Sequence, residues 1–185
     1  DTGSVVRGNR IWWCGTQCIF TGDPGKILVE NNMIEETNAC GSGCDGPQEI
    51  ALMGDTVVRY NTVEGDDGYG CNSCSPTRPG NTVIYGNVFL SPYASCAGGG
   101  VITASYDYNV FAPGSKVCGA HSKSCTPTLA NGKTWTNVDQ QADYHLGSND
   151  TCALNAGEPG DYPSQDLDAT TRPQGSAVDA GADER

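Results

Sequence analysis

The sequence predicts an all-β fold: a right-handed parallel β-helix (solenoid) of about five coils, with disulfide-bonded loops and a C-terminal capping tail. Three observations predict this fold. They are a repeat centred on asparagine, 25 glycines and 10 prolines among 185 residues, and ten cysteines. Frequent Gly and Pro favour turns and short strands over long helices. The length suits one domain with a continuous core.

Five segments of the chain align on a single asparagine. These segments are residues 6–11, 29–34, 58–63, 84–89 and 106–111. Their central asparagines are Asn9, Asn32, Asn61, Asn87 and Asn109, with spacings of 22 to 29 residues. A large apolar or aromatic residue lies three before and two after each asparagine, which predicts two short strands meeting at a bend rather than a helix.

Coil stacking explains this repeat, because the inward residues of each coil lie about 4.8 Å from those of the next. One stack is expected to contain Val6, Val29, Val58, Ile84 and Tyr106, and a second Ile11, Ile34, Val63, Phe89 and Phe111. Asparagine suits the bend because it tolerates left-handed backbone angles and its amide can hydrogen-bond the rungs above and below. A third strand is suggested in some coils by residues 17–20, 49–52 and 100–103. The alternative, a β-sandwich with coincidental asparagine turns, fits the irregular spacing less well.

The asparagine ladder resembles that of pectate-lyase-like parallel β-helix proteins. The end of the chain resembles the closing segment of secreted bacterial β-helix-repeat proteins. This second resemblance rests on residues 144–148, 152–157, 165–168, 172–175 and 178–184. It implies that residues 1–138 form the coils, and that residues 139–185 form a segment that covers the last coil and wraps back along the solenoid. Asp183 stands where the family more usually has an aromatic residue, so looser packing is expected there.

The cysteines favour disulfides and an extracellular location. They are Cys14, Cys18, Cys40, Cys44, Cys71, Cys74, Cys96, Cys118, Cys125 and Cys152. A four-thiolate zinc site needs a second C-x-x-C beside residues 71–74, and none is present. Close spacing favours pairing within residues 14–18, 40–44, 71–74 and 118–125, which leaves Cys96 to pair with Cys152.

The net charge of −12 argues against nucleic acid as a partner. Ten of the 22 acidic residues lie from Asp139 onward. A solvated acidic surface is the favoured interpretation of this segment. Calcium is the alternative, with Asp166 and Asp168 as its candidate ligands, and no other cofactor is indicated. No run of about eighteen apolar residues predicts a membrane span.

An enzyme is the alternative function, because proteins of this resemblance are often polysaccharide lyases or glycoside hydrolases. The candidate catalytic residues are Arg59, Glu64, Asp66 and Asp67. Asp66 and Asp67 resemble the double aspartate of polygalacturonase-like hydrolases, but the companion Gly-His-Gly and Arg-x-Lys motifs are absent. An Asp- and Gly-rich turn is favoured there, and Arg59 is expected to pair with Glu30 on the neighbouring strand.

Other candidate chemistry is sparse. The column three residues after the asparagines contains Trp12, Glu35, Glu64 and Leu90, and shows no convergent active site. His121 and His145 lack a partner constellation for nucleophilic catalysis. Several aromatic side chains are candidates for stacking on sugar rings. They are Trp12, Trp13, Tyr60, Tyr69, Tyr85, Tyr93 and Tyr108.

The favoured function is therefore a non-catalytic extracellular module for structural assembly, surface display or adhesion. Head-to-tail stacking into a filament is one version of it. The expected partners are a second copy, upstream β-helix coils, or glycans.

Overall fold

The computed structural model describes residues 3–12, 17–21, 26–35, 48–52, 55–64, 81–90, 103–131 and 143–185. These residues contain fifteen strands and no helix, so the all-β prediction is confirmed. In chain order the strands are β1 (Ser4–Arg7), β2 (Arg10–Trp12), β3 (Gln17–Thr21), β4 (Ile27–Glu30), β5 (Met33–Glu35), β6 (Gln48–Leu52), β7 (Thr56–Arg59), β8 (Thr62–Glu64), β9 (Asn81–Tyr85), β10 (Val88–Phe89), β11 (Thr103–Asp107), β12 (Val110–Phe111), β13 (Lys123–Ser124), β14 (Leu129–Asn131) and β15 (Asp143–Leu146). None of the described residues belongs to a helix that could cross a membrane.

Two open parallel sheets dominate the structure. The first sheet has the order β1-β4-β7-β9-β11, and the second has the order β13-β12-β10-β8-β5-β2. Successive asparagine segments contribute one strand to each sheet, so both sheets follow the order of the chain. β3 and β6 form a separate parallel pair, as expected for a third strand. Of the third segment expected there, residues 100–102 lie outside the described residues, and Thr103 belongs instead to β11 of the first sheet.

The registers confirm both predicted stacks. Val6, Val29, Val58, Ile84 and Tyr106 are successive partners in the first sheet. Ile11, Ile34, Val63, Phe89 and Phe111 are successive partners in the second. These side chains form one apolar core between the two sheets, in which Phe89 and Phe111 have ring centroids 5.0 Å apart. Burying each such side chain contributes about 1.5–3 kcal/mol.

The five asparagines form a continuous hydrogen-bonded ladder at the bend. The side-chain amide of Asn61 donates to Oδ1 of Asn87 over 3.0 Å, and Oδ1 of Asn61 accepts from the Asn32 amide over 2.9 Å. The same bond joins Asn9 to Asn32 and Asn87 to Asn109. Each Oδ1 from Asn32 to Asn109 also accepts the backbone N–H of the preceding asparagine. The ladder therefore satisfies polar groups that the bend would otherwise bury unpaired.

The left-handed backbone angle falls one residue earlier than expected. Positive φ occurs at Gly8, Asn31, Tyr60, Gly86 and Tyr108, each of which directly precedes a ladder asparagine. The sequence expectation that the ladder asparagine itself adopts this angle was wrong. The asparagine is retained for its amide hydrogen bonds, whereas the residue before it makes the turn. At Tyr60 and Tyr108 this angle is costly for a side chain and needs tertiary support.

A short segment closes the ladder after the fifth asparagine. The backbone N–H of Asn109 donates to Oγ of Ser122 over 3.0 Å, so a serine replaces the next asparagine. β13 then pairs with β12. His121 stacks on Tyr108 with ring centroids 4.6 Å apart, and its Nδ1 lies 2.8 Å from Asp107. Ser122 and β13 therefore continue the ladder and the second sheet beyond the fifth asparagine.

The disulfide pairing corrects the sequence expectation. Cys125 bonds to Cys152, so the expected pairings of Cys118 with Cys125 and of Cys96 with Cys152 were wrong. The antiparallel pair β14–β15 returns the chain beside itself, and both sulfurs join an apolar cluster with Leu146. Cys18 and Cys118 are also disulfide-bonded, and no described cysteine is free. The remaining six lie outside the described residues: Cys14, Cys40, Cys44, Cys71, Cys74 and Cys96.

The C-terminal segment packs lengthwise along the asparagine bend. The Asn31 amide donates to the carbonyl of Gln165 over 2.5 Å, and the N–H of Gly181 donates to the carbonyl of Gly86 over 2.7 Å. The Tyr60 hydroxyl donates to the carbonyl of Glu158 over 2.7 Å. The segment thus contacts the bends of the second, third and fourth repeats.

The acidic residues of this segment are largely structural, contrary to the solvated surface that the sequence favoured. Asp150, Asp166, Asp179, Asp183 and Glu184 are buried. All five accept backbone N–H groups. Asp183 is only 5% exposed and accepts the N–H of Leu146 over 2.7 Å, so the expectation of looser packing there was also wrong. A buried carboxylate can satisfy several backbone N–H groups of this irregular segment, because each of its oxygens accepts more than one hydrogen bond.

We expect Asn61→Ala to lower the free energy of unfolding by about 3 kcal/mol, because it leaves the buried amide groups of Asn32 without their acceptor. Asn9→Ala is the matched control, since it removes a similar amide from the exposed end of the same ladder. Its expected cost is below about 1 kcal/mol. Urea unfolding of both disulfide-intact variants measures the difference. An equal loss of unfolding free energy at the two positions would contradict the expectation, because it would mean that the buried hydrogen bonds of the ladder add no stability.

Candidate functional site

A cleft of about 170 Å³ lies beside the first rungs of the second sheet. Its polar and aromatic lining consists of Arg10, Trp12, Glu35, Asp143 and Tyr144, and we name it the first-rung cleft. β2 and β5 supply three of these residues, and β15 supplies the other two. Trp12 is 41% exposed and gives the cleft an apolar face.

Two carboxylates meet beside this cleft. Glu35 and Glu64 are register partners on β5 and β8, so their side chains extend to the same face of the sheet. The Tyr144 hydroxyl lies 3.5 Å from Oε2 of Glu64. Burial, followed by the two carboxylates, raises the pKa of Tyr144. The sequence did not indicate this contact, because Tyr144 comes from a distant strand.

A second group of charged side chains adjoins the cleft. We name it the His145 cluster, comprising Asp143, His145, Asp168 and Asp183. His145 Nδ1 contacts Oδ1 of Asp143, and His145 Nε2 contacts Oδ2 of Asp168. Arg10 Nη2 lies 3.0 Å from Oδ1 of Asp168 and 3.3 Å from Nε2 of His145. The cluster therefore links the first rung, β15 and the C-terminal segment.

Opposed effects set the protonation equilibria of this cluster. Burial lowers the pKa of His145, but the hydrogen bonds to Asp143 and Asp168 outweigh it and hold that pKa above its ordinary value. Burial acts to raise the pKa of Asp168, yet contact with His145 and Arg10 leaves it lowered. Burial raises the pKa of Asp183.

Part of the His145 cluster could have been found from the sequence, because side chains alternate between the two faces of a strand. Asp143 and His145 are two residues apart in β15, a spacing that places both side chains on one face. Asp168 and Asp183 are distant in sequence and belong to irregular segments. Nothing in the local pattern predicts that they meet His145.

The candidate base Arg59 is committed to ion pairs instead. Its Nε donates to Oε2 of Glu30 over 2.6 Å, as the sequence expected, and its Nη1 contacts Asp161. Glu30 is fully buried and also pairs with Arg7. The Tyr85 hydroxyl donates to Asp161 over 2.6 Å. Burial lowers the pKa of Arg59, but hydrogen bonds to Tyr85 and Glu30 hold it above its ordinary value.

The other candidate catalytic residues do not join Arg59 in the described part of the chain. Glu64 lies on β8 of the second sheet, whereas Arg59 lies on β7 of the first. Asp66 and Asp67 lie outside the described residues.

The two candidate calcium ligands have different environments. Oδ1 of Asp166 accepts the N–H groups of Asp168 and Thr170 over 2.9 and 2.7 Å, and Oδ2 accepts the N–H of Glu184 over 3.1 Å. Asp166 therefore closes a turn. The Asp168 side chain is 45% exposed and faces His145 and Arg10.

Arg172 fixes the segment that carries Asp168 and Asp183. Its guanidinium lies 4.9 Å above the ring of Tyr60 and pairs with Glu184 over 3.1 Å, with both charged side chains fully buried. It also donates to the carbonyls of Asp179 and Gly181. The two acidic residues are thus held by a buried anchor on the asparagine bend.

Comparison with known proteins adds no family to this geometry. No protein-family model, no curated protein and no solved structure matches the chain.

Asp179 gives this anchor a pH dependence. Burial raises the pKa of Asp179 from 3.8 to about 6, with Glu184 adding to the rise and Arg172 opposing it. A carboxyl with a raised folded pKa stabilises the fold below its unfolded pKa, and that stability is lost as the pH rises through the folded value. We therefore expect the stability of the wild type relative to Asp179→Asn to fall between pH 4 and pH 7.

Urea unfolding at several pH values measures this difference. Asp161→Asn is the control of opposite sign, because the hydrogen bond from Tyr85 lowers the pKa of Asp161. The stability of the wild type relative to that variant should rise with pH. A constant difference for Asp179→Asn would contradict the expectation.

Proposed function

We propose that the chain is a non-catalytic extracellular module for structural assembly. In this proposal it is a right-handed parallel β-helix of about five coils that associates with a second copy through its first rung. The strand order of the two sheets supports this path, because each asparagine segment adds one strand to the first sheet and the next strand to the second. The ten cysteines support an oxidising, extracellular location.

The single observation that carries the assembly is the difference between the two ends of the sheets. At one end β1 and β2 are edge strands, and Val5 and Trp12 on them are 53% and 41% exposed. At the other end Ser122 and β13 continue the hydrogen bonding beyond Asn109 and Val110. Exposed apolar edge strands favour strand addition by another chain.

A second copy is the occupant that this edge fits best. Arg7 on β1 is paired with Glu30, and Arg10 on β2 is paired with Asp168, so the cations of the first rung are already neutralised. Two such edges can therefore approach one another in a symmetric contact. A contact between two first rungs uses the same edge of both copies, so in this proposal the assembly is a dimer rather than a filament.

Analytical ultracentrifugation of the wild type and of Val5→Lys tests this proposal. We expect a concentration-dependent dimer for the wild type. For Val5→Lys we expect a dimer affinity at least about tenfold lower, because a lysine on an edge strand opposes pairing. Val83→Lys is the matched control: Val83 is 39% exposed and lies in the same outward column, but on the interior strand β9. It should dimerise like the wild type. A wild-type monomer at every concentration overturns the proposal.

The first-rung cleft favours a second candidate function, cleavage of a glycan. Paired carboxylates hydrolyse glycosidic bonds, and exposed Trp12 offers a flat face to a sugar ring. Under the structural proposal we expect no release of reducing or unsaturated sugars from acidic and neutral polysaccharides. The second function would be established instead if the wild type released sugars, if Glu35→Gln lowered that release at least about 100-fold, and if Glu158→Gln left it unchanged.

A further inference from the structure

We propose that the His145 cluster binds one divalent transition-metal ion, with His145 Nε2 and the carboxylates of Asp168 and Asp183 as its ligands. The three ligand atoms lie within 4.8 Å of one another, a separation that one ion can bridge. They come from β15 and from two points of the C-terminal segment, which the buried Arg172 anchor holds in place.

The proposed ligands differ in exposure: one is buried, and another is accessible to solvent. Asp183 is 5% exposed and is fixed by the N–H of Leu146, so its position is set without the ion. The side chain of His145 is 17% exposed, whereas that of Asp168 is 45% exposed. An ion can therefore enter from the side of Asp168 and reach two ligands that are already in position.

Asp143 orients the imidazole for metal binding. Oδ1 of its carboxylate contacts Nδ1 of His145, which leaves Nε2 as the ring nitrogen that faces Asp168. Metal-binding histidines usually have this carboxylate partner on their other nitrogen.

The ligand set selects the class of metal. An imidazole nitrogen with two carboxylates suits zinc and neighbouring transition ions, whereas calcium takes six to eight oxygen ligands. Three protein ligands also leave room for water or for a further ligand. The site differs from a calcium pair of Asp166 and Asp168, because Asp166 is occupied by backbone N–H groups.

Arg10 competes with the ion and makes the proposal sharply testable. Its Nη2 lies 3.3 Å from Nε2 of His145 and 3.0 Å from Oδ1 of Asp168. A cation at this distance repels a divalent ion and donates to one of its ligands. Arg10→Met should therefore bind zinc more tightly than the wild type, by about tenfold. A merely structural ion-pair cluster predicts no such gain.

The experiment is isothermal titration of zinc chloride into tag-free, disulfide-intact protein that has been treated with chelator. We expect one zinc per chain, with an affinity at least 100-fold above that for calcium. His145→Gln should lower the affinity at least 100-fold. His121→Gln is the matched control, because it changes the other histidine of the chain, which also contacts one aspartate, Asp107, and should bind zinc like the wild type.

Asp168→Asn separates loss of binding from misfolding, because the Asp168 side chain is half-exposed. We expect this variant to bind zinc more weakly while its circular dichroism spectrum stays unchanged. Three results overturn the proposal: no heat of binding with zinc, equal binding by His145→Gln and the wild type, or calcium binding that rivals zinc. Loss of binding in Arg10→Met would also overturn it, because it would make Arg10 a support of the site rather than a competitor.

Discussion

The asparagine ladder is the constraint on which the rest of the structure depends. At each bend the chain leaves one sheet and enters the other, and the backbone N–H of a ladder asparagine donates to the side chain of the next one. The amide of Asn61 also donates to the carbonyls of Val29 and Arg59 while it links Asn32 to Asn87. An unsatisfied buried group costs about 1–3 kcal/mol, so each rung strongly favours the next in register. That register then places the apolar stacks on the inside.

The bend also determines where the C-terminal segment lies. Tyr60 turns the chain with a positive φ, is fully buried, and presents its hydroxyl and ring to Glu158 and Arg172. The strained residue is thus stabilised by the segment it anchors. A Cβ on Gly86 would lie 2.9 Å from the Tyr60 ring, and Gly86 too has a positive φ, so only glycine fits both demands. The bend and the segment therefore support each other.

Many of the acidic side chains in the C-terminal segment are buried and hydrogen-bonded rather than spread over the surface. The net charge of −12 suggests a repelling, solvated surface, yet five carboxylates of the C-terminal segment are buried. Backbone N–H groups and Arg172 compensate them, which is the condition for burying a charge at modest cost. One consequence is that Asp168 and Asp183 are held close to His145. Another is that Arg10 on the first rung is paired with Asp168 of this segment.

The all-β class, the two apolar stacks, the ladder asparagines and the pairing of Arg59 with Glu30 could all be predicted from the sequence. These features repeat in every asparagine segment or act between neighbouring strands, so a pattern along the chain encodes them. Tertiary structure alone decided the bond between Cys125 and Cys152, the burial of Asp183, and the meeting of Glu64 with Tyr144 and of Asp168 with His145. These contacts join segments that share no periodicity. Their positions follow from how the irregular C-terminal segment packs against the bend, which no local spacing specifies.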